Sequence, residues 1–194
     1  MKLKLFVLSC ACIGLASTVV FADLQPGNVA PQFTTLASKS GKAFHYSLKR
    51  ALRRGPVVVY FYPAAYTHGC DIEAHTFSVN IDKFRNAGAS VVGVSLDSVK
   101  RLNDFSKDPN YCAGNFPVAS DPHGHIAKSY DLTVSPGEAG EKDARGEEIG
   151  HGFAARSTFI VKPDGTIAAT ISGVAPAANV DQAVIAVQAL AGKK

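Results

Sequence analysis

Two kinds of apolar pattern alternate along the chain. Some segments are continuous apolar runs, and in others apolar residues recur every three or four positions, as on one face of a helix. Residues 57–62 are six β-branched and aromatic residues followed by Pro63, which predicts a strand buried on both faces and a loop after it. Residues 89–96 predict a second buried strand, and Asp97 or Ser98 then caps a helix with one apolar face. Strands and helices in this order favour an α/β fold in which parallel strands are joined by right-handed crossovers.

Elements outside this central region complete the pattern. A Ser-Gly-Lys turn at 40–42 separates two short strand-like segments, which predicts an N-terminal strand pair ahead of the main sheet. A Pro-Asp-Gly turn within residues 159–170 predicts a β-hairpin, and residues 179–191 carry the apolar stripe of a closing helix. Residues 135–152 hold five glycines and seven charged residues, so we expect a surface loop there that borders the substrate entrance.

The composition fits one domain with a core of its own, since the chain has 194 residues of which 46% are hydrophobic. The formal net charge is a modest +4, and no basic run has the length that a nucleic-acid surface needs. We therefore expect no nucleic-acid partner.

The start of the chain has the pattern of a targeting segment. A basic start precedes an apolar stretch at 5–20, and a small-residue cleavage site lies at 20–22. We expect residues 1–22 to be a cleaved signal peptide, residues 23–194 to be the domain, and the mature protein to be periplasmic or secreted. Polar residues interrupt the stretch, which disfavours a stable membrane association. Lipidation at Cys10 is a less favoured alternative, because the apolar segment before it is short.

Signal cleavage would leave two cysteines, Cys70 and Cys112. Cys70 follows the first buried strand and its loop, and precedes an apolar face formed by Phe77, Ile81 and Phe84. This predicts a helix with the thiol in its first turn. Unpaired backbone N–H groups and the positive end of the helix dipole favour thiolate over thiol at that place. Cys70 is therefore the best candidate nucleophile.

The residues before Cys70 are spaced to form one small pocket. Pro63, Thr67 and Cys70 make a Pro-x3-Thr-x2-Cys motif, so one tight loop places a ring, a hydroxyl and a sulfur together. A thiolate that attacks a peroxide O–O bond needs such a hydroxyl and a fixed cation to stabilise the departing oxygen. Arg156, at the start of another apolar strand, is the candidate cation because guanidinium stays charged.

These motifs resemble the peroxiredoxins, and most closely their bacterioferritin-comigratory or PrxQ-type branch. The resemblance covers nearly all of the chain after the targeting segment. The segments that carry it are 27–33, 57–77, 115–121 and 156–167. It implies a thioredoxin-like α/β fold, with a central mixed sheet flanked by helices and an N-terminal strand extension.

In that family the matching proline, threonine, cysteine and arginine form the active site, so the resemblance assigns catalytic roles to Pro63, Thr67, Cys70 and Arg156. The implied activity is reduction of hydrogen peroxide or organic hydroperoxides through a cysteine sulfenic acid. The implied partner is a thioredoxin-like reductant. We expect no cofactor, no metal, and a monomer or weak dimer.

Two positions depart from the branch. This chain has His68 where a proline is usual, and His75 where many members carry a resolving cysteine. We expect these histidines to modulate the thiol at most. Some PrxQ-type proteins resolve with a later cysteine, and Cys112 lies in a segment rich in turn formers, which predicts a mobile loop or a frayed helix end. The alternatives are that Cys112 is an ordinary half-buried thiol, or that it forms a static disulfide with Cys70.

Three rival functions use the same cysteine. A thioredoxin-type thiol-disulfide oxidoreductase needs Cys-x-x-Cys, whereas Glu73 stands three residues after Cys70. An exported copper chaperone on this fold would bind metal through Cys70 with His68 or His75, but Ala74 occupies the place of its usual second cysteine. An inactive scaffold held by a disulfide is the third rival, and it predicts no reaction with peroxide.

Overall fold

A computed structural model describes residues 23–192 of the chain. The predicted signal peptide at 1–22 lies outside these residues. None of the helices in the described part has the length and hydropathy that a membrane crossing requires.

The described residues form strands and helices that alternate along the middle of the chain. The strands are β1 (Thr34–Lys39), β2 (Lys42–Ser47), β3 (Val57–Phe61), β4 (Ser90–Ser95), β5 (Val118–Ser120), β6 (Val134–Ser135), β7 (Phe153–Ala154), β8 (Ser157–Val161) and β9 (Ile167–Ser172). The helices are α1 (Leu48–Leu52), α2 (His68–Val79), α3 (Ile81–Asn86), α4 (Val99–Lys107), α5 (His125–Ser129) and α6 (Pro176–Ala191).

Seven strands form one mixed sheet in the order β2-β1-β5-β4-β3-β8-β9. β3 pairs in parallel with β4, and β4 pairs in parallel with β5, which confirms the predicted parallel pairing. On its other side β3 pairs antiparallel with β8, so the strand that leads to Cys70 lies beside the strand that follows Arg156. The α/β prediction with a central mixed sheet is confirmed.

The N-terminal strand pair is part of this sheet and does not stand ahead of it. β1 pairs antiparallel with both β2 and β5. The sequence pattern predicted the hairpin correctly, but it carries no information on which sheet edge the hairpin joins.

Helices cover both faces of the sheet, and side chains of β3 alternate between the two cores. Tyr60 faces a cluster that α2, α3, α4 and α6 complete, whereas Phe61 faces a cluster that includes side chains of α1 and α5. All five residues of β3 are buried. A strand covered on both faces needs no polar positions, which explains its continuous apolar run.

The single helix predicted through Phe77, Ile81 and Phe84 is wrong, because the chain forms two helices there. Asn80 ends α2, and its side-chain amide donates to the carbonyl oxygen of Thr76 at 2.9 Å. Asparagine competes for backbone groups in this way and favours helix ends. The three apolar side chains are all buried, as predicted.

Candidate active site

Cys70 lies where the carboxyl end of β3 passes into α2. It is the third residue of α2, so its thiol is in the first turn, as predicted. Thr67 is the N-cap residue and has extended backbone angles. The side chain of Cys70 is buried, with an exposed fraction of 2%. A thiol this buried offers little surface to a large molecule.

The loop before Cys70 brings Thr67 to the thiol. The Thr67 hydroxyl donates to the carbonyl oxygen of Ala64 at 2.8 Å and makes no capping bond to α2. Burial raises the pKa of the Cys70 thiol above its ordinary value, although the charge of Arg156 acts to lower it. Pro63, half-buried, lies at the bend where the chain leaves β3 for this loop. Sequence reasoning identified the influences that favour thiolate but missed the opposing burial.

Arg156 directly precedes β8 and reaches the thiol across the β3–β8 pair. Its Nη2 lies 3.4 Å from Sγ of Cys70. Gly69 permits this approach, since a Cβ there would lie 3.2 Å from the same nitrogen. The structure therefore brings Thr67, Cys70 and Arg156 together, although Arg156 lies 86 residues after Cys70 in the sequence.

Glu73 is a site residue that the sequence analysis did not assign to the pocket. Its carboxylate forms an ion pair with Nη1 of Arg156, and its side chain is fully buried. Burial raises the pKa of Glu73, and the charge of Arg156 acts in the opposite direction. Positions three apart share a helix face, so an acidic residue three after Cys70 was the available signal. The guanidinium of Arg156 thus contacts both the Cys70 thiol and the Glu73 carboxylate.

Cys112 lies in the turns between α4 and β5, and its side chain is fully buried. A mobile loop or a frayed helix end was predicted here, and the structure has a series of turns in which the thiol is packed into the core. The Ser78 hydroxyl of α2 donates to the Cys112 carbonyl oxygen at 3.2 Å, which fastens this turn to the helix that carries Cys70. Burial raises the pKa of the Cys112 thiol, with smaller contributions from Asp108 and Asp71. Both thiols are free in the structure.

The two flanking histidines lie away from the thiol. His68 is exposed at the start of α2. His75 is also exposed, and its Nδ1 lies 3.1 Å from the carbonyl oxygen of Asn110, in the turn that precedes Cys112. Among residues 23–192, no group of three or more His, Cys, Asp or Glu side chains is placed to hold a metal ion. Ala74, where the copper-chaperone hypothesis required a second cysteine, is buried in the core.

Comparison with known proteins gives concordant matches. A model of the AhpC/TSA family matches residues 26–170. Peroxiredoxin Bcp of Xanthomonas campestris is 32% identical over 133 residues, which are 69% of this chain and 76% of that protein. The structure of peroxidoxin BcpB from Mycobacterium tuberculosis superposes with a TM-score of 0.69 at 26% identity, covering 86% of this chain and 98% of that one.

A further structural match is to a protein whose activity is named. The bacterioferritin comigratory protein of Xanthomonas campestris, which has alkyl peroxide reduction activity, superposes with a TM-score of 0.63 at 30% identity. The match covers 80% of this chain and 91% of that one. The fold predicted from the sequence, a thioredoxin-like α/β domain, is confirmed by these structures.

The Glu73–Arg156 pair yields a test that needs no substrate. In Glu73→Gln, the charge of Arg156 acts on Cys70 without its counter-charge, so we expect the pKa of the Cys70 thiol to fall. The free energy of unfolding should also fall by about 3 kcal/mol, because one partner of a buried ion pair is removed. Thiolate ultraviolet absorbance against pH in a Cys112→Ser background gives the first quantity, and denaturant titration gives the second.

The matched control is Asp82→Asn, which removes the acid of the exposed Asp82–Arg85 pair. It should change neither quantity appreciably, because exposed pairs contribute little. A Cys70 pKa that stays the same or rises in Glu73→Gln would show that Glu73 does not moderate the charge of Arg156.

Proposed function

The chain belongs to the AhpC/TSA family and is a thiol-dependent peroxidase, and we propose that it reduces hydrogen peroxide and organic hydroperoxides through a sulfenic acid on Cys70. The observation that carries this proposal is the guanidinium nitrogen of Arg156 at 3.4 Å from a thiol in the first turn of a helix. That arrangement supplies a nucleophile and a fixed positive charge within one small pocket.

In the proposed reaction the Cys70 thiolate attacks one oxygen of the peroxide. An S–O bond forms as the O–O bond breaks, and the departing hydroxide or alkoxide takes up a proton. The peroxide is reduced by two electrons and the sulfur is oxidised to a sulfenic acid. Arg156 holds the peroxide oxygens and stabilises the charge that develops on the leaving oxygen. Thr67 orients the peroxide, and Pro63 shields the thiolate from water.

We propose that Cys112 resolves the sulfenic acid. Its thiolate attacks Sγ of Cys70, and the S–O bond breaks as the disulfide forms. The departing hydroxide takes up a proton and leaves as water. Since Cys112 is fully buried in turns held to α2 by Ser78, the turns and the first part of α2 must open before the two sulfurs meet. A thioredoxin-like dithiol then reduces the disulfide by exchange.

The range of substrates follows from the pocket and from one relative. The alkyl peroxide reduction activity of the Xanthomonas campestris protein supports organic hydroperoxides as substrates here. Hydrogen peroxide needs the same attack on an O–O bond and less space. The physiological donor is proposed only as a thioredoxin-like protein of the same compartment.

Replacing Arg156 tests the proposal. Arg156→Gln should slow the oxidation of Cys70 by hydrogen peroxide by roughly 10²–10³-fold, because one donor to the developing charge is lost. The measurement is the second-order rate of sulfenic acid formation in a Cys112→Ser background, by rapid mixing. Arg85→Gln, at an exposed arginine, is the control and should react at the parental rate.

The variant Arg156→Gln also leaves Glu73 buried without a cation, so a second variant separates the two effects. Glu73→Gln with Arg156→Gln should remain slow if Arg156 acts on the peroxide directly. Recovery of the parental rate in that double variant would contradict a direct role for Arg156.

We also propose that the mature protein is exported and begins at Asp23. The signal-like pattern of residues 1–22 supports this. The first residues of the expected mature chain are bound to the domain. The Ser157 hydroxyl donates to Asp23 at 2.5 Å, and the Leu24 carbonyl oxygen accepts from Thr170 at 2.6 Å. Export would require the reductant to be an exported thioredoxin-like partner.

Expression of the full chain in a bacterium, followed by fractionation and N-terminal sequencing, tests export. We expect a periplasmic or secreted protein that starts at Asp23, because the targeting segment is removed on translocation. An uncleaved chain in the cytosol would contradict the proposal. As a control, a chain that starts at Asp23 after an initiator methionine should stay in the cytosol.

A further inference from the structure

Asp97 fixes the loop that carries the candidate active site. It follows β4 and is fully buried. Its Oδ2 accepts the backbone N–H of Ala65 at 2.8 Å and the hydroxyl of Ser95 at 2.7 Å. Arg101 donates through Nη2 to the carbonyl oxygen of Ala65 at 2.9 Å. Both backbone groups of Ala65 are thus held by side chains outside its own loop.

Residues 135–152, here called the 135–152 loop, reinforce the same attachment. Asp143 accepts from Nη2 of Arg101 at 2.7 Å, and the backbone N–H of Ala144 donates to the carbonyl oxygen of Tyr66 at 2.9 Å. Tyr66 has a φ of 62°, in the left-handed region that costs a tyrosine strain, so its conformation depends on such external contacts. The predicted surface loop is therefore tied to the residues before Thr67.

His151, near the end of the 135–152 loop, also binds Asp97. Its Nε2 lies 3.0 Å from Oδ1 of Asp97, and its Nδ1 lies 2.8 Å from the carbonyl oxygen of Gly152. Both partners are acceptors, since the Asp97 carboxylate already receives the donors of Ala65 and Ser95. A neutral imidazole has one N–H and can satisfy only one of them. Both bonds form only when His151 is the doubly protonated imidazolium.

Burial, two hydrogen bonds and nearby charged side chains act on the pKa of His151. Burial opposes its charge, but the hydrogen bonds to Asp97 and Gly152 raise the pKa of His151 above its ordinary value despite the nearby charge of Arg101. The remaining charged groups line a cavity of about 580 Å³ beside the ring and carry both signs. They are Lys100, Asp104, Arg145, Glu147 and Glu148.

We propose that His151 is a positioning residue which, as an imidazolium bound to Asp97 and Gly152, holds the Ala65–Tyr66 segment and with it Thr67 in place for the reaction at Cys70. Only its kinetic consequence rests on the proposed function, because the hydrogen-bond coupling exists whatever Cys70 does.

The sign of the pH dependence follows from the raised pKa of His151. The attachment is complete when the pH lies below the ordinary histidine value of about 6.5. It weakens as the pH rises through the raised value, because one of the two hydrogen bonds is then lost. The Cys70 thiolate population increases over the same range, so the loss of the attachment should make the rate of Cys70 oxidation rise less steeply with pH than the thiolate population does.

A nuclear magnetic resonance titration of the reduced protein tests the coupling directly. We expect the Ala65 amide proton to shift with the same midpoint as the His151 ring, and that midpoint to lie above the ordinary histidine value. In His151→Gln the Ala65 shift should no longer follow pH in this range. His125→Gln, at an exposed histidine, should leave the Ala65 titration unchanged. An Ala65 amide that does not follow the ring would overturn the proposal.

The kinetic test compares pH profiles of Cys70 oxidation. Below the His151 pKa, His151→Gln should react roughly tenfold more slowly than the parent protein, the equivalent of one charge-assisted hydrogen bond. Above that pKa the difference between the two rates should become smaller, because the parent protein loses the same bond. A profile identical to that of the parent protein would refute a positioning role even if the Ala65 coupling is found. If Cys70 does not react with peroxide in any variant, the proposed function fails, and the amide titration alone decides whether His151 holds the loop.

Discussion

The contact of one guanidinium with both a thiol and a carboxylate is the interaction on which the site depends. Arg156 is brought in by β8, and Cys70 and Glu73 by α2, so this contact fixes the helix against the sheet at the point of reaction. A buried charge needs a partner of opposite charge. Glu73 is that partner for Arg156, and it lies on the same face of α2 as Cys70. The antiparallel pairing of β3 with β8 places Arg156 within reach.

Burial favours the fold and opposes the chemistry at both cysteines. A buried thiol is stable and protected from larger oxidants, but a disulfide between Cys70 and Cys112 requires that packed turns and a helix start open. The Ser78 hydroxyl donates to the Cys112 turn, whereas Asp97 accepts the backbone N–H of Ala65 and Arg101 donates to its carbonyl oxygen. The bonds to Ala65 hold the loop before Thr67, whereas the bond from Ser78 would have to break in the proposed resolution by Cys112.

Local patterns in the sequence predicted the buried strand β3, the thiol in the first turn of α2 and the arginine before β8. Predictions from these local patterns were wrong or incomplete where the structure depends on side-chain bonds or on contacts between distant residues. The break at Asn80 depends on a side-chain bond that competes with the helix, and the role of Glu73 depends on a cation 83 residues away. The 135–152 loop has almost no apolar residues, so its attachment through Asp143 and His151 left no periodic signal.

The most direct test of the two-cysteine reaction is the intact mass and free-thiol count of the reduced protein before and after one equivalent of hydrogen peroxide, with Cys70→Ser and Cys112→Ser alongside. The account predicts rapid loss of two thiols and of two hydrogen atoms in mass, and that this loss requires both cysteines. Accumulation of sulfenic acid on Cys70 in the parent protein, without a disulfide, would contradict the role of Cys112. A Cys70 that does not react would contradict the peroxidase site itself.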